Sequence, residues 1–500
     1  MNSGKYDVIV IGAGISGLLS ALVLSKHGNR VLVLEKNDCV GGNCRTYNVD
    51  GFMVDTGPHA VTMLRGGPLC MLMDQYFDKV PDFIRYGDYY IRSAETKELV
   101  RCPTNVHDFM TFDFLPLKDR ILLSSAIISA FTRMSAGKDY SKISVYDALP
   151  KSLSSNAFAF ADTFSKFMSG RGMKETSVRR MAAGSTFSSE KKMTRDEFDA
   201  LVNGIIMHDD VSGTPSASKK EVIGKLLYHK GGFSNQGYPV GGIGSILTCL
   251  LESLPENVEI RTGCRVRRIF SENGSVRGAE FFTDPLSGVT ESAYADLIVY
   301  TGFAANLIKM LEELPAEYGG RLRKIDHTIS ITSWAGLDEK IPALSYIGSE
   351  VRYEEMPYWG GPMSNYDPGL AIPGGQLAGF CFVPNPRKNI RGQIDRTFDT
   401  LFDSIPGLED HVVMKHAQIT VPEKAAITIN GEFADVRTPV KGLYMAGTDT
   451  DKRSMGITRA AYSVIDLMEA LEKDGRFPRK NSFGGYGNHR AYLPADIAGE

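Results

Sequence analysis

Tryptophan is scarce in this 500-residue chain, with two copies, and a surplus of one charge sign is missing altogether. Lysine and arginine number 56 against 59 aspartates and glutamates, a formal balance of −3 that offers nucleic acid no basic field. Seven cysteines scattered over this length are not the dense disulfide framework of a small secreted domain. Cys39 and Cys44 have four residues between them, which suits neither a Cys-x-x-Cys redox pair nor half of a metal site, so no metal is expected. No basic-then-apolar leader precedes Lys5, and the expectation is a chain that works inside the cell, in the cytoplasm. What remains is 43% hydrophobic and 23% charged, enough for two or more domains.

The most informative stretch is Val8-Ile9-Val10-Ile11-Gly12-Ala13-Gly14-Ile15-Ser16-Gly17. A β-branched run enters a Gly-x-Gly-x-x-Gly turn, and Leu18 to Lys26 continues with helical apolar spacing. Arg30 to Leu34 reads as a second strand ending at Glu35, twenty-three residues after Gly12. Gly12 permits the tight turn, Gly14 lets backbone approach a pyrophosphate, and Gly17 lets the helix pack close. The amides of Ile15, Ser16 and Gly17 face the phosphates, and Glu35, next to Lys36, can accept hydrogen bonds from a ribose. The strand, turn, helix and acid together predict a dinucleotide site.

After Glu35 come Val40-Gly41-Gly42-Asn43-Cys44-Arg45-Thr46 and Gly51-Phe52-Met53-Val54-Asp55-Thr56-Gly57-Pro58-His59. This order resembles the FAD-binding N-terminus of the flavoprotein superfamily of amine oxidases, protoporphyrinogen oxidases and phytoene desaturases, nearest in character to the last. A second glycine pair lets another loop lie against the cofactor, and Arg45 adds a cation suited to the pyrophosphate. The resemblance extends the expected contacts through Asn43 and Thr46 to Gly57, Pro58 and His59. His59 is the candidate catalytic side chain near the flavin face; a packing or cofactor-orienting role remains equally open.

The same resemblance organises the rest of the chain. Residues 258–269 carry two strand-like pieces about Gly263, and the superfamily's backbone clamp on the adenine side falls near Val266. Val276 to Phe281 and Ala295 to Tyr300 are expected to continue the sheet pattern. Near the end, Val440 to Asp449 reads as a strand entering a glycine and an acid, and Ser454-Met455-Gly456-Ile457 opens a helix. By resemblance, Gly447 and Asp449 lie along the ribityl–phosphate region, and Met455, Gly456 and Ile457 bring amides toward the flavin ring. No cysteine follows Cys381, so the attachment seen in some amine oxidases has no candidate and the FAD is expected to be non-covalent.

The implied fold is α/β, a Rossmann-like FAD-binding domain (1–75, 230–300, 430–472) with a discontinuous α+β substrate domain (76–229, mainly helical, and 301–429) and a tail (473–500). Capping boxes at Thr194–Glu197 and Ser218–Glu221 support helices between Tyr140 and about Tyr228. The phenylalanines at 158, 160, 164 and 167 read as core, and Trp334, Tyr353, Tyr358, Trp359 and Tyr366 as candidate walls of an apolar cavity. The stretch 114–131 is too short to span a bilayer, with Lys118 and Arg120 before its apolar run and Arg133 just after. It reads either as a buried helix or as one lying on the inner face of a membrane through Ile121, Leu122, Ile127, Ile128 and Phe131.

The expected activity is hydride transfer between FAD and an apolar, isoprenoid or carotenoid-like substrate, by desaturation, saturation or isomerisation. An amine or protoporphyrinogen oxidase, and a flavin-stabilised binding protein without turnover, stay open. The electron acceptor and the oligomeric state are not legible.

Overall fold

The computed structural model describes residues 6–57, 60–103, 106–135, 138–183, 235–284, 288–311, 314–353, 356–385, 387–420, 423–477 and 492. At its centre is a five-stranded parallel sheet in the order Val258–Arg261, Val31–Leu34, Val8–Ile11, Ile298–Tyr300, Leu443–Met445. Strands covered on both faces read as continuous apolar runs, and the sequences VIVI and VLVL do so. Side-chain alternation sorts them cleanly. Val8, Val10, Val31 and Val33 face one core, and Ile9, Ile11, Leu32 and Leu34 face the other.

The first core is closed by helices Ile15–Lys26, Pro68–Tyr76 and Gly456–Lys473, which pack on one another. Ile15–Lys26 is buried almost all round, so its serines are satisfied internally: Ser20 donates to the Ser16 carbonyl and Ser25 to that of Leu22. The second core lies under an antiparallel sheet of Arg265–Glu272, Ser275–Phe282 and Thr290–Tyr294. Val276 to Phe281 is a strand as expected, but it lies in this second sheet and not in the central one. The turn at Gly263, φ +66°, ends the parallel strand Val258–Arg261, and the chain after it forms its own antiparallel hairpins, tied to the rest by a bridge from Ser275 to Lys441.

A seven-stranded mixed sheet forms the other half, ordered Val412–Thr420, Ser330–Leu337, Gln376–Phe382, Tyr358–Gly361, Gly348–Arg352, Asp88–Arg92, Leu99–Arg101. Parallel sheet and discontinuous mixed sheet together give the expected α/β architecture. The five aromatic residues expected to line one cavity do not share one. Trp334, Tyr353 and Tyr366 join the core containing Phe52, whereas Tyr358 packs with Phe380 and Phe382 in another. Tyr358 and Trp359 are adjacent on one strand, so they emerge on opposite faces.

Helix Ser155–Ser169 sets its four phenylalanines against the core that contains Phe52, as expected, but does not bury them fully. Its fully buried positions are Ala157, Ala161, Thr163, Ser165 and Ser169, while Phe158, Phe160, Phe164 and Phe167 are only half-buried. Ser165 and Ser169 can sit inside because each hydroxyl donates to the carbonyl one turn earlier. Helix Leu117–Ser135 buries Leu123, Ser124, Ala130 and Met134 and exposes Leu117, Ile121, Ile127 and Ile128. No helix among the described residues is long and apolar enough to cross a membrane. The two capping boxes at 194 and 218 lie outside the described residues.

Candidate cofactor site

The first glycine turn is built by close approach. Gly12 has φ +104°, and a Cβ there would stand 2.7 Å from the Thr301 hydroxyl, which itself donates to the carbonyls of Ile11 and Gly12. A Cβ on Gly17 would meet the Gly12 carbonyl oxygen at 2.0 Å. Gly14 is different: it precedes the helix Ile15–Lys26 with no side-chain cap, and a Cβ on it would meet no protein atom within 4 Å. The helix start at Ile15, Ser16 and Gly17 therefore carries no side-chain cap, the condition under which its first amides can bind an anion.

Glu35 stands at the end of the second strand, and its carboxylate is already engaged. One oxygen accepts from the Ala13 amide at 2.7 Å, and the other from the backbone and side chain of Asn37 at 2.9 and 2.7 Å. A carboxylate has about four acceptor directions, so capacity remains for a ribose hydroxyl while Glu35 also braces the turn. Lys36 and Asn43 are exposed. The Cys264 amide donates to the Glu35 carbonyl at 2.7 Å, which brings the chain entering Val266 to the acidic strand end. The Val266 side chain itself is buried in the core opposite Phe281, leaving only its backbone for the clamp.

The second glycine pair is stitched to the first. The Gly41 amide donates to the Ala13 carbonyl at 2.7 Å, Gly14 and Gly41 form a parallel bridge, and a Cβ on Gly42 would lie 3.2 Å from the Gly14 Cα. Arg45 is held beside them by its Nε to the Gly42 carbonyl at 3.2 Å and by Nη1 to the Cys39 sulfur at 2.6 Å. The Thr46 hydroxyl turns elsewhere: it donates to Asp55 at 2.5 Å and accepts from the Gly244 amide at 2.8 Å.

The distant C-terminal motif closes on this cradle. Gly447, φ +128°, would place a Cβ 3.9 Å from the Ser16 hydroxyl, and its amide donates to Ser463. Asp449 is buried and accepts from the Ala304 amide at 2.8 Å and from His327 Nε2 at 3.0 Å. Met455 precedes the helix Gly456–Lys473 without a side-chain cap, and Gly456, φ +54°, borders space with no protein atom within 4 Å of its added Cβ. Ile457 follows in the first turn. Gly57 is buried at φ +106°, and Pro58 and His59 lie outside the described residues.

Four residues escaped the sequence reading of the site. His327 fixes the Asp449 carboxylate from 122 positions away. Asp55 is buried among Thr46, Tyr238 and the Ile243 amide, and burial pushes its carboxyl up to about 6. Arg180 and Arg459 are both buried behind Ser454. None has a local signature, because each depends on residues brought together from distant segments.

Comparison with known proteins agrees with this geometry. Residues 15–463 match the family described as flavin containing amine oxidoreductase. The chain is 51% identical over 63 residues to all-trans-retinol 13,14-reductase of Rattus norvegicus, covering 13% of this chain and 10% of that protein. It is 27% identical over 290 residues to the chloroplastic prolycopene isomerase of Daucus carota, covering 55% and 43% respectively, so the matches span well under two thirds of these relatives. An oxidoreductase from Methanosarcina mazei shares the fold with a TM-score of 0.68 at 21% identity, over 93% of this chain and 100% of that one. A putative protoporphyrinogen oxidase from Exiguobacterium sp. does so at 0.65 and 16%, over 94% and 99%. The family match runs from the helix behind the first glycine turn to the helix behind the last, and the chain belongs to the flavin containing amine oxidoreductase family as a FAD-dependent oxidoreductase.

Proposed function

We propose that this protein transfers hydride between non-covalently held FAD and an apolar, isoprenoid or carotenoid-like substrate. The observation that carries this reading is the half-buried aromatic face of helix Ser155–Ser169, whose rings pack against the substrate-side core and make its surroundings apolar. Phe160 contacts Phe164, Phe112 and Tyr353, with ring centroids 4.7, 6.0 and 5.6 Å apart, and Phe167 stands against Trp359. The last turn of the same helix reaches the cofactor side: the Met168 carbonyl accepts from Arg180, which also donates to the Ser454 carbonyl beside Met455. Similarity to proteins named for retinol reduction, phytoene desaturation and prolycopene isomerisation supports the same substrate class.

In this reading the pyrophosphate lies against Gly12, Gly14 and the helix start at Ile15–Gly17, and Glu35 takes the ribose. Gly41, Gly42 and Arg45 close the second side, Gly447 and Asp449 follow the ribityl chain, and Met455–Ile457 meet the ring. The division into a FAD domain and a substrate domain follows the same placement. Bound FAD supplies a two-electron hydride acceptor or donor. The chain supplies placement and exclusion of water, through the aromatic face, and His59 is the candidate for moving a proton. We also propose that the exposed apolar residues of helix Leu117–Ser135 touch one leaflet, giving a lipid-borne substrate an entrance.

Anaerobic incubation of the FAD-loaded protein with polyene, amine and porphyrinogen substrates tests the reading through flavin absorbance, with mass spectrometry of the consumed compound. Absorbance change with a polyene alone is expected. A response only to an amine or porphyrinogen overturns the substrate class, and no response to any of the three, together with stoichiometric ligand retention, favours a binding protein.

A further inference from the structure

Asp449 follows the carboxyl end of strand Leu443–Met445, and Ala304 that of its neighbour Ile298–Tyr300, the end of a parallel sheet at which ligands collect. The Asp449 side chain is 4% exposed, yet among the described residues two N–H groups are all that serve its carboxylate. The Ala304 amide reaches Oδ2 at 2.8 Å, and His327 Nε2 stands 3.0 Å from both oxygens. Against a carboxylate, which only accepts, Nε2 carries the proton. Arg459 is near enough for its charge and that of Asp449 to act on one another, but its Nη1 donates to the carbonyls of Ala425 and Thr448. A carboxylate has about four acceptor directions, so this enclosed one keeps capacity for a further donor. Gly447, two residues earlier, approaches Ser16 of the first glycine turn.

His327 is held from the substrate side. Its chain enters the strand Ser330–Leu337, and its carbonyl accepts from Arg171 Nη2 at 2.8 Å. Arg171 also grips Asp326 through Nε and Nη2 at 2.7 and 2.6 Å. The Thr328 amide donates to the Lys424 carbonyl and the Ala426 amide to that of Asp326, each at 2.8 Å. A Cβ on Gly170 would stand 2.1 Å from Thr328 Cγ2. The imidazole meets the Phe303 ring edge-on, with centroids 5.1 Å apart at 87°. Backbone and ring are thus both fixed, by the segment that ends the aromatic helix Ser155–Ser169 and by the segment that follows Tyr300.

We propose that His327 is a positioning residue for the cofactor: its Nε2–H holds the Asp449 carboxylate turned toward the ribityl chain, so the affinity for FAD depends on a side chain from the substrate half of the molecule. The inference rests on the placement of the ribityl chain at Gly447 and Asp449 given above. In this role His327 acts through Asp449 and not on the flavin. Its removal leaves the carboxylate enclosed with one N–H donor and free to turn away.

The test is the dissociation constant of FAD from the full-length protein, measured by titrating the deflavinated chain and following flavin fluorescence, with the thermal midpoint of the deflavinated chain recorded beside it. His327→Leu should weaken FAD binding about tenfold or more, the scale of one lost hydrogen bond to a charged group. His327→Gln, whose amide can reach the same carboxylate, should stay within about threefold of wild type. Asp449→Ala should weaken binding at least as much as His327→Leu. Adding His327→Leu to Asp449→Ala should bring no further loss, because the histidine then has nothing to hold. His327→Leu with wild-type affinity overturns the proposal, as does a Gln variant no better than Leu, or a double variant whose loss is the product of the two single losses. A lower thermal midpoint with unchanged affinity assigns His327 to packing and overturns it too. Should His327→Leu not fold alone, Asp449→Ala with and without it decides, since no carboxylate is then stranded: equal affinities are expected, and a further loss of about tenfold overturns the proposal. The site reading fails separately: Asp449→Ala at wild-type affinity removes Asp449 from the cofactor, and a wild type that binds no FAD removes the site.

Discussion

Gly17 lies so close to Gly12 that a methyl group on it would stand 2.0 Å from the Gly12 carbonyl oxygen, whereas the same group on Gly14 would touch no protein atom within 4 Å. The three glycines of one motif therefore answer to different constraints. Gly17→Val should abolish folding, and Gly12→Ala should cost about 1–3 kcal/mol through its positive φ and the Thr301 contact. Gly14→Val should fold, losing at most about 1 kcal/mol at the helix start, yet retain less than a tenth of the wild-type FAD. Circular dichroism melting beside flavin absorbance after desalting checks the set; a Gly14→Val protein with full FAD would refute the phosphate cradle.

Asp55 gives a pH signature. Its carboxyl is pushed by burial up to about 6, against the hydrogen bonds from Thr46, Tyr238 and Ile243. The folded chain thus holds this proton more tightly than the unfolded one, so the associated stability is complete below about pH 4 and is lost as the pH rises through about 6. The difference corresponds to about 3 kcal/mol at most. Unfolding free energies of wild type and Asp55→Asn should diverge in slope across that window, with the variant flatter. Identical slopes would show that Asp55 ionises normally.

The substrate-side sheet carries a buried ion pair. Arg92 donates from Nε to Glu350 at 2.7 Å, and the phenols of Tyr358 and Tyr346 donate to the same carboxylate at 2.8 and 2.9 Å. Arg92→Met should cost about 3–5 kcal/mol, because Glu350 is left charged and enclosed. Adding Glu350→Gln should return part of that loss. Urea unfolding of both variants checks this, and a double variant less stable than Arg92→Met would remove the charge explanation.

Membrane contact has a defined surface. On helix Leu117–Ser135, Leu117 is 56% exposed, Ile121 47%, Ile127 40% and Ile128 37%. Ile121 and Ile128 are seven residues apart and share one side of the helix. Flotation with anionic liposomes is expected for wild type and should be lost in Ile121→Asp plus Ile128→Asp while FAD is retained. Wild-type protein that stays at the bottom of the gradient with neutral and anionic lipids alike ends the proposal.

The nucleotide half was legible because its information is local. The fully apolar strands, the glycine spacing and Glu35 occupy one short stretch, and the structure has the strands and the turn there with Glu35 at the second strand's end. The approach of Gly447 to Ser16 came from resemblance, since nothing in the intervening residues announces it. Degree of burial was harder to read. Four phenylalanines on one helix suggested a core and do pack against one, yet the fully enclosed positions went to hydroxyls that bond back to their own helix. Arg180 and Arg459 were invisible for a related reason: a buried arginine is spelled like a solvated one, and only the shared Ser454 carbonyl sets the pair apart.

The parallel sheet is finished by Leu443–Met445, which joins the exposed side of Ile298–Tyr300. During translation at about 5–20 residues per second, on the order of 20–90 s separates the first strand from this one. For about the last third of that interval, once Ile298–Tyr300 has emerged and before Leu443 does, the edge of this strand, buried in the finished molecule, has no neighbour on one side and invites pairing with any other extended chain. A ribosome that stalls just short of Leu443 holds a nascent protein with an open apolar edge. How promptly the final strand emerges thus sets how long that edge stays open.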